Sequence, residues 1–397
     1  MTATRIVRGA TIAVGVAVWV VLALLLWRTT VPSNLRLPHL DESATFIPPI
    51  VSRARHYERF LDWDWVVSTV AALAAYTTMA VRGRRLAPRL GLGNVNAGIV
   101  IGVVTFAVVW AATLPFALAE TWWGRRYGID RESYAAAVGA AWGRLLGTSL
   151  VVVIVLSIVL GLARRLGRRW WLAAGPAIAA VLLALQFVTP LLATIQTHPV
   201  RSAALRRAIR QLEVREHAGA PPVRVDDVSG QTTAANAFSI GIGPTERVVL
   251  WSTLLRFPPD EVRFVVAHEL GHVVRNHILR GVGWFGLLVL PVLFVTAFAA
   301  DVRRPGSVPL ALLVIALAQL ALLPLRNEIS RRYESEADWI GLNGTHDPAA
   351  AKGLFTNFLA TGLQDPSPPG WVHVILDDHP TLLQRVEMVE AWKRRRP

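Results

Sequence analysis

The sequence predicts a mainly α-helical, polytopic membrane protein of about seven transmembrane helices, whose polar regions form a smaller domain with a small β-sheet. Three observations support this fold class. Of the 397 residues, 53% are hydrophobic and only 17% are charged, and the mean hydropathy is +0.43. Apolar runs long enough to cross a bilayer recur along the chain. Two polar regions, residues 190–277 and 326–397, lie outside those runs. This composition excludes an ordinary soluble globular domain.

Seven apolar runs are the candidate spans, and six is the alternative count. The fourth run is short, and the last two can dip into the membrane as a pair rather than span it independently. They cover residues 10–27, 65–81, 97–119, 148–163, 170–189, 278–300 and 308–325. The first run follows Arg5 and Arg8 like a signal peptide. No small-residue cleavage site follows it, and Trp27-Arg28 closes it, so we expect a retained membrane anchor. None of the runs has a charged residue in its middle, which argues against a transporter or channel.

The net charge of +14 comes largely from arginines at the ends of apolar runs. Those of the two compact loops are Arg82, Arg84, Arg85, Arg89, Arg164, Arg165, Arg168 and Arg169. Arginines in such positions contact lipid phosphates and fix the topology. The polar regions have no basic groove with stacking aromatic residues, so we expect no nucleic-acid partner. The absence of cysteine excludes disulfides and thiolate metal ligands.

The chain divides into four expected segments. Residues 1–189 form a membrane domain of five spans, 190–277 the first part of the polar domain, 278–325 two further membrane helices, and 326–397 the second part of the polar domain. Residues 201–216 have the spacing of a basic amphipathic helix. Residues 223–228, 235–241 and 248–251 have the composition of strands. Pro258-Pro259, followed by Asp260 and Glu261, predicts the start of another helix.

That helix carries the most informative motif of the chain. Residues 268–272 read His-Glu-Leu-Gly-His. Residues four apart share one face of a helix, so His268 and His272 can both present an imidazole nitrogen to one metal ion. Glu269 lies beside the first ligand, where it can take a proton from water. This H-E-x-x-H arrangement is typical of zinc peptidases. The alternative is a helix with two structural core histidines.

A third ligand is expected to complete a tetrahedral zinc site with one open position. Arg275 and Ile278 stand where a metzincin continuation needs glycine and histidine, so that class is excluded. Glu334 is the candidate ligand, and Asp338, one turn later on the same helix face, can orient a ligand histidine. Glu336 points about 160° away from Glu334 at 100° per residue and is expected to be a solvated charge. The alternative for this stretch is an ordinary charged helix.

The order of these elements resembles the integral-membrane zinc metalloproteases that include the type I CAAX prenyl proteases and the HtpX heat-shock proteases. The seven-span layout is closer to the CAAX branch than to HtpX. The resemblance covers about residues 190–385 closely and the first five spans more loosely. The residues that carry it are Asn236-Ala237-Phe238, Arg247 to Leu250, Thr253-Leu254-Leu255, His268 to His272, Asn276-His277, Glu334, Ala337-Asp338, His379-Pro380-Thr381 and Arg385, with Glu120 and Tyr127-Gly128-Ile129 upstream.

The resemblance implies a zincin-like catalytic domain in which His268, His272 and Glu334 bind one zinc ion per chain and Glu269 is the general base. It also implies that Asp338 supports a ligand histidine and that His379 and Arg385 approach the site. His379 can donate a hydrogen bond to an oxyanion; alternatively, Asp378-His379-Pro380 only caps the following helix.

Substrate would lie along the strand that contains Asn236, Ala237 and Phe238, because an edge strand can bind an extended peptide. Asn236 is either a ligand of a substrate carbonyl or merely a strand-end residue. These expectations describe a membrane-embedded zinc metalloendopeptidase acting on membrane-associated or misfolded proteins.

The alternative function is a catalytically silent, zinc-binding membrane scaffold or regulator. The expected location is the cell membrane, with multiple passes. The zinc site is expected on the cytoplasmic side, as the resemblance implies, although the compact arginine loops argue for the outside.

Overall fold

A computed structural model of the chain describes residues 3–395. Seven long helices each contain one of the apolar runs. They are α1 (Ala3–Leu26), α3 (Pro48–Leu86), α4 (Asn94–Tyr127), α5 (Tyr134–Leu166), α6 (Trp170–Ala193), α9 (His277–Ala299) and α10 (Val308–Thr345). A short helix, α2 (Glu42–Thr45), lies between α1 and α3. The mainly α-helical, multi-pass architecture predicted from the sequence is therefore confirmed.

Five helical stretches within residues 3–395 are long and apolar enough to cross a membrane. One of them, Tyr134–Ala193, comprises α5 and α6 joined by the 3-10 turn Gly167–Arg169. The apolar part of α1, Ala13–Leu26, is shorter. The count of seven separate spans therefore stays a prediction.

Two of the membrane helices extend far beyond their apolar runs. The helix α10 continues without a break from its apolar part through Glu334 and Asp338. The helix α3 likewise begins well before its apolar run and carries Glu58 in its polar part. Membrane helices thus reach directly into the polar domain and bring side chains to it.

The polar domain contains a four-stranded sheet. Its strands are β1 (His198–Pro199), β2 (Val223–Asp226), β3 (Ala237–Ile240) and β4 (Arg247–Trp251), and their order is β1-β2-β4-β3. The strand β4 pairs parallel to β2 and antiparallel to β3. This places β3 at an edge of the sheet, as the sequence predicted. The amphipathic helix is α7 (Ala203–Glu216), whose first turn is capped by the hydroxyl of Ser202.

The helix with the two histidines, α8 (Pro259–Val274), is buried along most of its length. It packs against α7, α10 and α11 (Pro348–Gly362). Beyond α11 follow α12 (Gly370–Ile375) and α13 (Leu382–Arg395). The core around α8 includes Leu250, Leu254, Phe264, Leu270, Leu342, Leu354 and Phe355.

Two glycines allow α8 and α10 to approach each other closely. A Cβ atom on Gly271 would lie 3.3 Å from the Cα of Ala337, and one on Gly341 would lie 3.3 Å from the backbone nitrogen of His268. Larger residues would push the helices apart. This close contact brings the histidines of α8 within reach of the carboxylates of α10.

Candidate metal centre and active-site groove

Three side chains from two helices converge at the contact between α8 and α10. The Nε2 atoms of His268 and His272 lie 3.1 Å apart. Oxygens of Glu334 lie 3.2 Å from Nε2 of His268 and 3.4 Å from Nε2 of His272. One ligand atom from each residue fits within 4.8 Å of the others. The structure therefore brings together the three residues that the sequence suggested as metal ligands.

The spacing and chemistry of these atoms fit a tetrahedral zinc ion. Bonds of about 2.0–2.1 Å at tetrahedral angles separate ligand atoms by roughly 3.3 Å, close to the three distances here. The Oε2 atom of Glu334 is buried and has no well-directed hydrogen bond within the described part of the chain. Unshared electron pairs of nitrogen and oxygen at this distance repel each other unless a proton or a metal cation lies between them. The donor set, two imidazoles and one carboxylate, is one that zinc accepts.

The charge around His268 also favours a cation. Burial by itself lowers the pKa of this imidazole, but hydrogen bonds to Asp338 and Glu334 outweigh burial and raise the pKa to about 9. Without a metal the imidazole therefore holds an additional proton at neutral pH. A divalent ion takes the place of that proton when it binds.

Asp338 connects His268 to the C-terminal helix. Its Oδ1 atom lies 2.8 Å from Nδ1 of His268. Arg385 of α13 donates two hydrogen bonds to the same carboxylate, at 2.8 Å to Oδ2 and 2.7 Å to Oδ1. All three side chains are buried, and the Arg385 guanidinium lies 4.4 Å from the ring centre of Phe355. The structure thus places Asp338 and Arg385 directly behind one ligand.

His379 contacts Glu334 from the segment that precedes α13. Its Nε2 atom lies 3.2 Å from Oε2 of Glu334, and its Nδ1 atom lies 2.7 Å from Oδ1 of Asp378. Burial lowers the pKa of this imidazole, but the charge of Glu334 and the hydrogen bond to Asp378 outweigh it and raise the pKa to about 10.

The alternative that residues 378–380 cap the next helix is wrong. The backbone amide of Gln384 donates to the Thr381 hydroxyl, and the Thr381 amide donates to the Gln384 side chain. Thr381 therefore caps α13.

A groove of about 470 Å³ runs past the candidate ligand His268. Glu269 lines it beside His268, and His379 lines it from the C-terminal segment. Acidic residues that the sequence reading did not single out also line it, among them Glu58, Asp365 and Asp377. They come from α3 and from loops distant in sequence, so no local pattern pointed to them.

The edge strand β3 forms part of the groove wall. Asn236 and Ala237 line the groove, whereas Phe238, which is partly buried, is not among the lining residues. The Trp251 amide donates to the Asn236 carbonyl, so the alternation of an antiparallel ladder turns the backbone groups of Ala237 toward the free edge. The Ala237 amide donates to Oδ1 of Asn236 itself, 2.9 Å away. In this structure Asn236 therefore acts as a strand-end residue.

The expectation that Glu336 is solvated is wrong. Its side chain is fully buried and forms ion pairs with Arg275 and Arg280. The 160° offset from Glu334 holds, but the opposite face of α10 packs against the start of α9 and the end of α1 rather than facing water. A helical angle gives a direction and does not say what occupies that direction.

One histidine that the sequence assigned no role contacts a metal ligand. The Nδ1 atom of His277 lies 2.9 Å from Nδ1 of His272. Asn276 has a positive φ of 51°. This left-handed residue interrupts the helical backbone between α8 and α9 and turns His277 back toward His272. The only signal in the sequence was the Asn276-His277 pair close behind the motif.

A multi-pass helical fold and a cluster of two histidines and one glutamate that could hold a metal ion are together the features expected of an integral-membrane metalloprotease. Residues 199–393 match the family model described as Peptidase family M48. This match covers just under half of the chain, and it confirms the resemblance seen in the sequence.

Curated relatives include the uncharacterized metalloprotease YhfN of Bacillus subtilis, 30% identical over 57% of this chain and 58% of that protein. A protease HtpX homolog of Nostoc is 27% identical over 50% of this chain and 75% of that protein. A CAAX prenyl protease 1 homolog of Oryza sativa is 25% identical over 48% of each chain. The match thus spans little more than half of YhfN.

The crystal structure of S. mikatae Ste24p superimposes with a TM-score of 0.76 at 17% identity and covers 95% of this chain and 97% of that one. At this identity the likeness shows a shared fold, and the chemistry has to be argued from the site.

Proposed function

We propose that this protein is a membrane-embedded zinc metalloendopeptidase that hydrolyses peptide bonds of membrane-associated or misfolded proteins. The observation that carries the proposal is the position of Glu269. Glu269 lines the groove next to His268, and Asn236 and Ala237 at the start of β3 line the same groove. A general base, a metal site and a strand for substrate thus share one groove.

The residues of the chain have distinct roles in this mechanism. When held by His268, His272 and Glu334, zinc supplies the Lewis acidity that acidifies water and polarises a carbonyl. Glu269 accepts the proton of the attacking water and delivers it to the leaving amine. His379, whose Nδ1 proton is held by Asp378, directs Nε2 into the site and donates a hydrogen bond to the oxyanion of the substrate carbonyl. Asp338, fixed by Arg385, holds the His268 ring in its ligating orientation.

The free edge of β3 aligns the substrate. An extended peptide pairs with the outward backbone groups of Ala237, which gives affinity without dependence on substrate sequence. Asn236 releases the Ala237 amide when the peptide binds and turns to a substrate carbonyl. Phe238 supports the strand from the side away from the groove.

The deciding experiment is peptide cleavage by the purified full-length protein, with and without chelator, together with zinc analysis. We expect about one zinc per chain, cleavage that chelator abolishes, and recovery on addition of zinc. Zinc without any cleavage would favour the alternative of a silent zinc-binding scaffold. Full zinc occupancy in the double variant His272→Ala and Glu334→Ala would contradict the ligand assignment.

We also propose that the protein lies in the cell membrane with the zinc site on the cytoplasmic side. On the zinc side, the apolar parts of α9 and α10 are flanked by Arg275, Arg280, Arg326, Arg331 and Arg332. Positive charge is therefore not confined to the two compact loops. A reporter enzyme fused to the C-terminus tests this orientation. A reporter active only outside the cytoplasm would reverse it.

A further inference from the structure

A second network of side chains leads away from the candidate metal centre, through His272 rather than through His268. His277 lies 2.9 Å from His272 through its Nδ1 atom and 3.0 Å from Oε2 of Glu336 through its Nε2 atom. His277 and Glu336 are 5% and 0% exposed. The His277 ring stacks on Tyr333, with centres 4.4 Å apart and planes 7° apart. His277 therefore bridges a metal ligand and a buried carboxylate.

The hydrogen-bonding requirements of these groups fit together in one way. To offer Nε2 to a metal, His272 must carry its proton on Nδ1, which then donates to Nδ1 of His277. His277 accepts there, so its own proton is on Nε2 and donates to the Glu336 carboxylate. Each donor meets one acceptor, and no nitrogen is left without a partner. The arrangement requires a neutral His277 and an ionised Glu336.

Glu336 is held by groups from three parts of the chain. Its oxygens accept hydrogen bonds from Arg275 at 2.9 Å, from Arg280 at 3.1 Å and from the backbone amide of Thr30 at 2.5 Å. Arg280 also donates to the carbonyls of Leu26 and Arg28 at the end of α1. The two guanidinium groups offset the cost of burying the carboxylate. Glu336 is thus a fixed point that joins α9, α10 and the end of the first membrane helix.

We propose that His277 and Glu336 form a positioning relay that fixes the His272 ring in its metal-binding orientation and ties it to the end of α1. The inference rests on the proposed zinc site and concerns how this chain prepares one of its ligands. The two ligand histidines are then held by different means. Asp338 and Arg385 hold His268, whereas the neutral His277 and the ionised Glu336 hold His272. Neither His277 nor Glu336 touches the groove, so both act through His272.

The first test measures zinc affinity of the detergent-purified, full-length protein by competition with a chromogenic chelator. We expect His277→Leu and Glu336→Gln each to weaken zinc binding by about 10- to 100-fold, as is usual when a group behind a ligand histidine is removed. Among the partners of Glu336, only His277 contacts the ligand His272. In the His277→Leu background, Glu336→Gln is therefore expected to have no further effect on zinc affinity. Additive losses would overturn the relay.

A second test separates the two hydrogen bonds of His277. Asparagine places its amide oxygen near the former Nδ1 position and keeps the acceptor for His272. Glutamine places its amide near the former Nε2 position and keeps only the contact with Glu336. We therefore expect His277→Asn to bind zinc more tightly than His277→Gln, and Co²⁺ absorption to stay closer to wild type in the asparagine variant. A packing role predicts the reverse order, because glutamine fills more of the space.

The matched control is Glu387→Gln. Glu387 is also a largely buried carboxylate that accepts a hydrogen bond from an N-terminal backbone amide, that of Leu40, but it lies outside the metal cluster. The zinc affinity of the Glu387→Gln variant is expected to equal that of the wild type. Wild-type protein without zinc would refute the proposed function itself. Wild-type zinc binding with unchanged affinity in all His277 variants would refute only the relay.

Discussion

Asp338 lies one helical turn beyond Glu334, and its Oδ1 atom is 2.8 Å from Nδ1 of His268. One face of α10 thus supplies both a candidate metal ligand and the carboxylate that orients another ligand. The same carboxylate receives both hydrogen bonds of Arg385. This contact couples the C-terminal helix to the metal centre and makes Asp338 a sensitive position.

Replacing Asp338 by asparagine is expected to weaken zinc binding by about 10- to 100-fold. The asparagine amide keeps the shape of the aspartate but not its charge. It therefore accepts the hydrogen bond of the His268 Nδ1 proton less strongly, and it leaves Arg385 without an ion pair. Chelator competition on the full-length protein measures the effect. Asp301→Asn is the control, because Asp301 pairs with Arg303 in the loop between α9 and α10. Equal zinc affinity in both variants would remove Asp338 from its orienting role.

Glu269→Gln is expected to retain zinc and to lose hydrolysis by about 10²–10⁴-fold, the usual contribution of a general base. The amide has nearly the same shape but cannot accept the proton of water. Zinc analysis and peptide cleavage on the same preparation give both quantities. Near wild-type cleavage by this variant would show that another group is the base.

Zinc affinity is expected to rise with pH up to about pH 9. The metal-free protein carries a proton on His268 below its pKa of about 9, and zinc must displace this proton. One displaced proton changes the affinity by about tenfold per pH unit, so binding is weakest at low pH and levels off above pH 9. Titrations between pH 6 and 10 test this. In Asp338→Asn the plateau is expected at lower pH, because a hydrogen bond that raises this pKa is weakened. A pH-independent affinity would contradict the account.

Ala237→Pro is expected to weaken peptide binding by about 3- to 10-fold, the range of one hydrogen bond. Proline removes an amide that faces the free edge of β3 and takes no part in the pairing with β4. Affinity is measured in the Glu269→Gln background, so that the peptide is not cleaved. Ala237→Ser keeps the amide and serves as the control. Unchanged affinity would place the substrate elsewhere, and loss of zinc would show that the sheet itself had been disturbed.

The sequence by itself indicated the membrane-helix segments, the three ligand candidates and the strands of the sheet. Each depends on a local rule: apolar runs define membrane segments, spacing of four places two side chains on one helix face, and short alternating runs predict strands. His268 with His272 and Glu334 with Asp338 are both pairs of this kind. These relations hold before the helices pack.

Tertiary structure decided which groups from distant parts of the chain meet behind the candidate ligands. Arg385 contacts Asp338 from a different helix. His277 reaches His272 only because the left-handed residue Asn276 interrupts the helical backbone between α8 and α9. Glu336 is buried because the end of α1 and the arginines of α9 cover its side of α10. Helical periodicity gives the direction of a side chain, but its surroundings depend on contacts between residues up to about 300 positions apart, which no local pattern encodes.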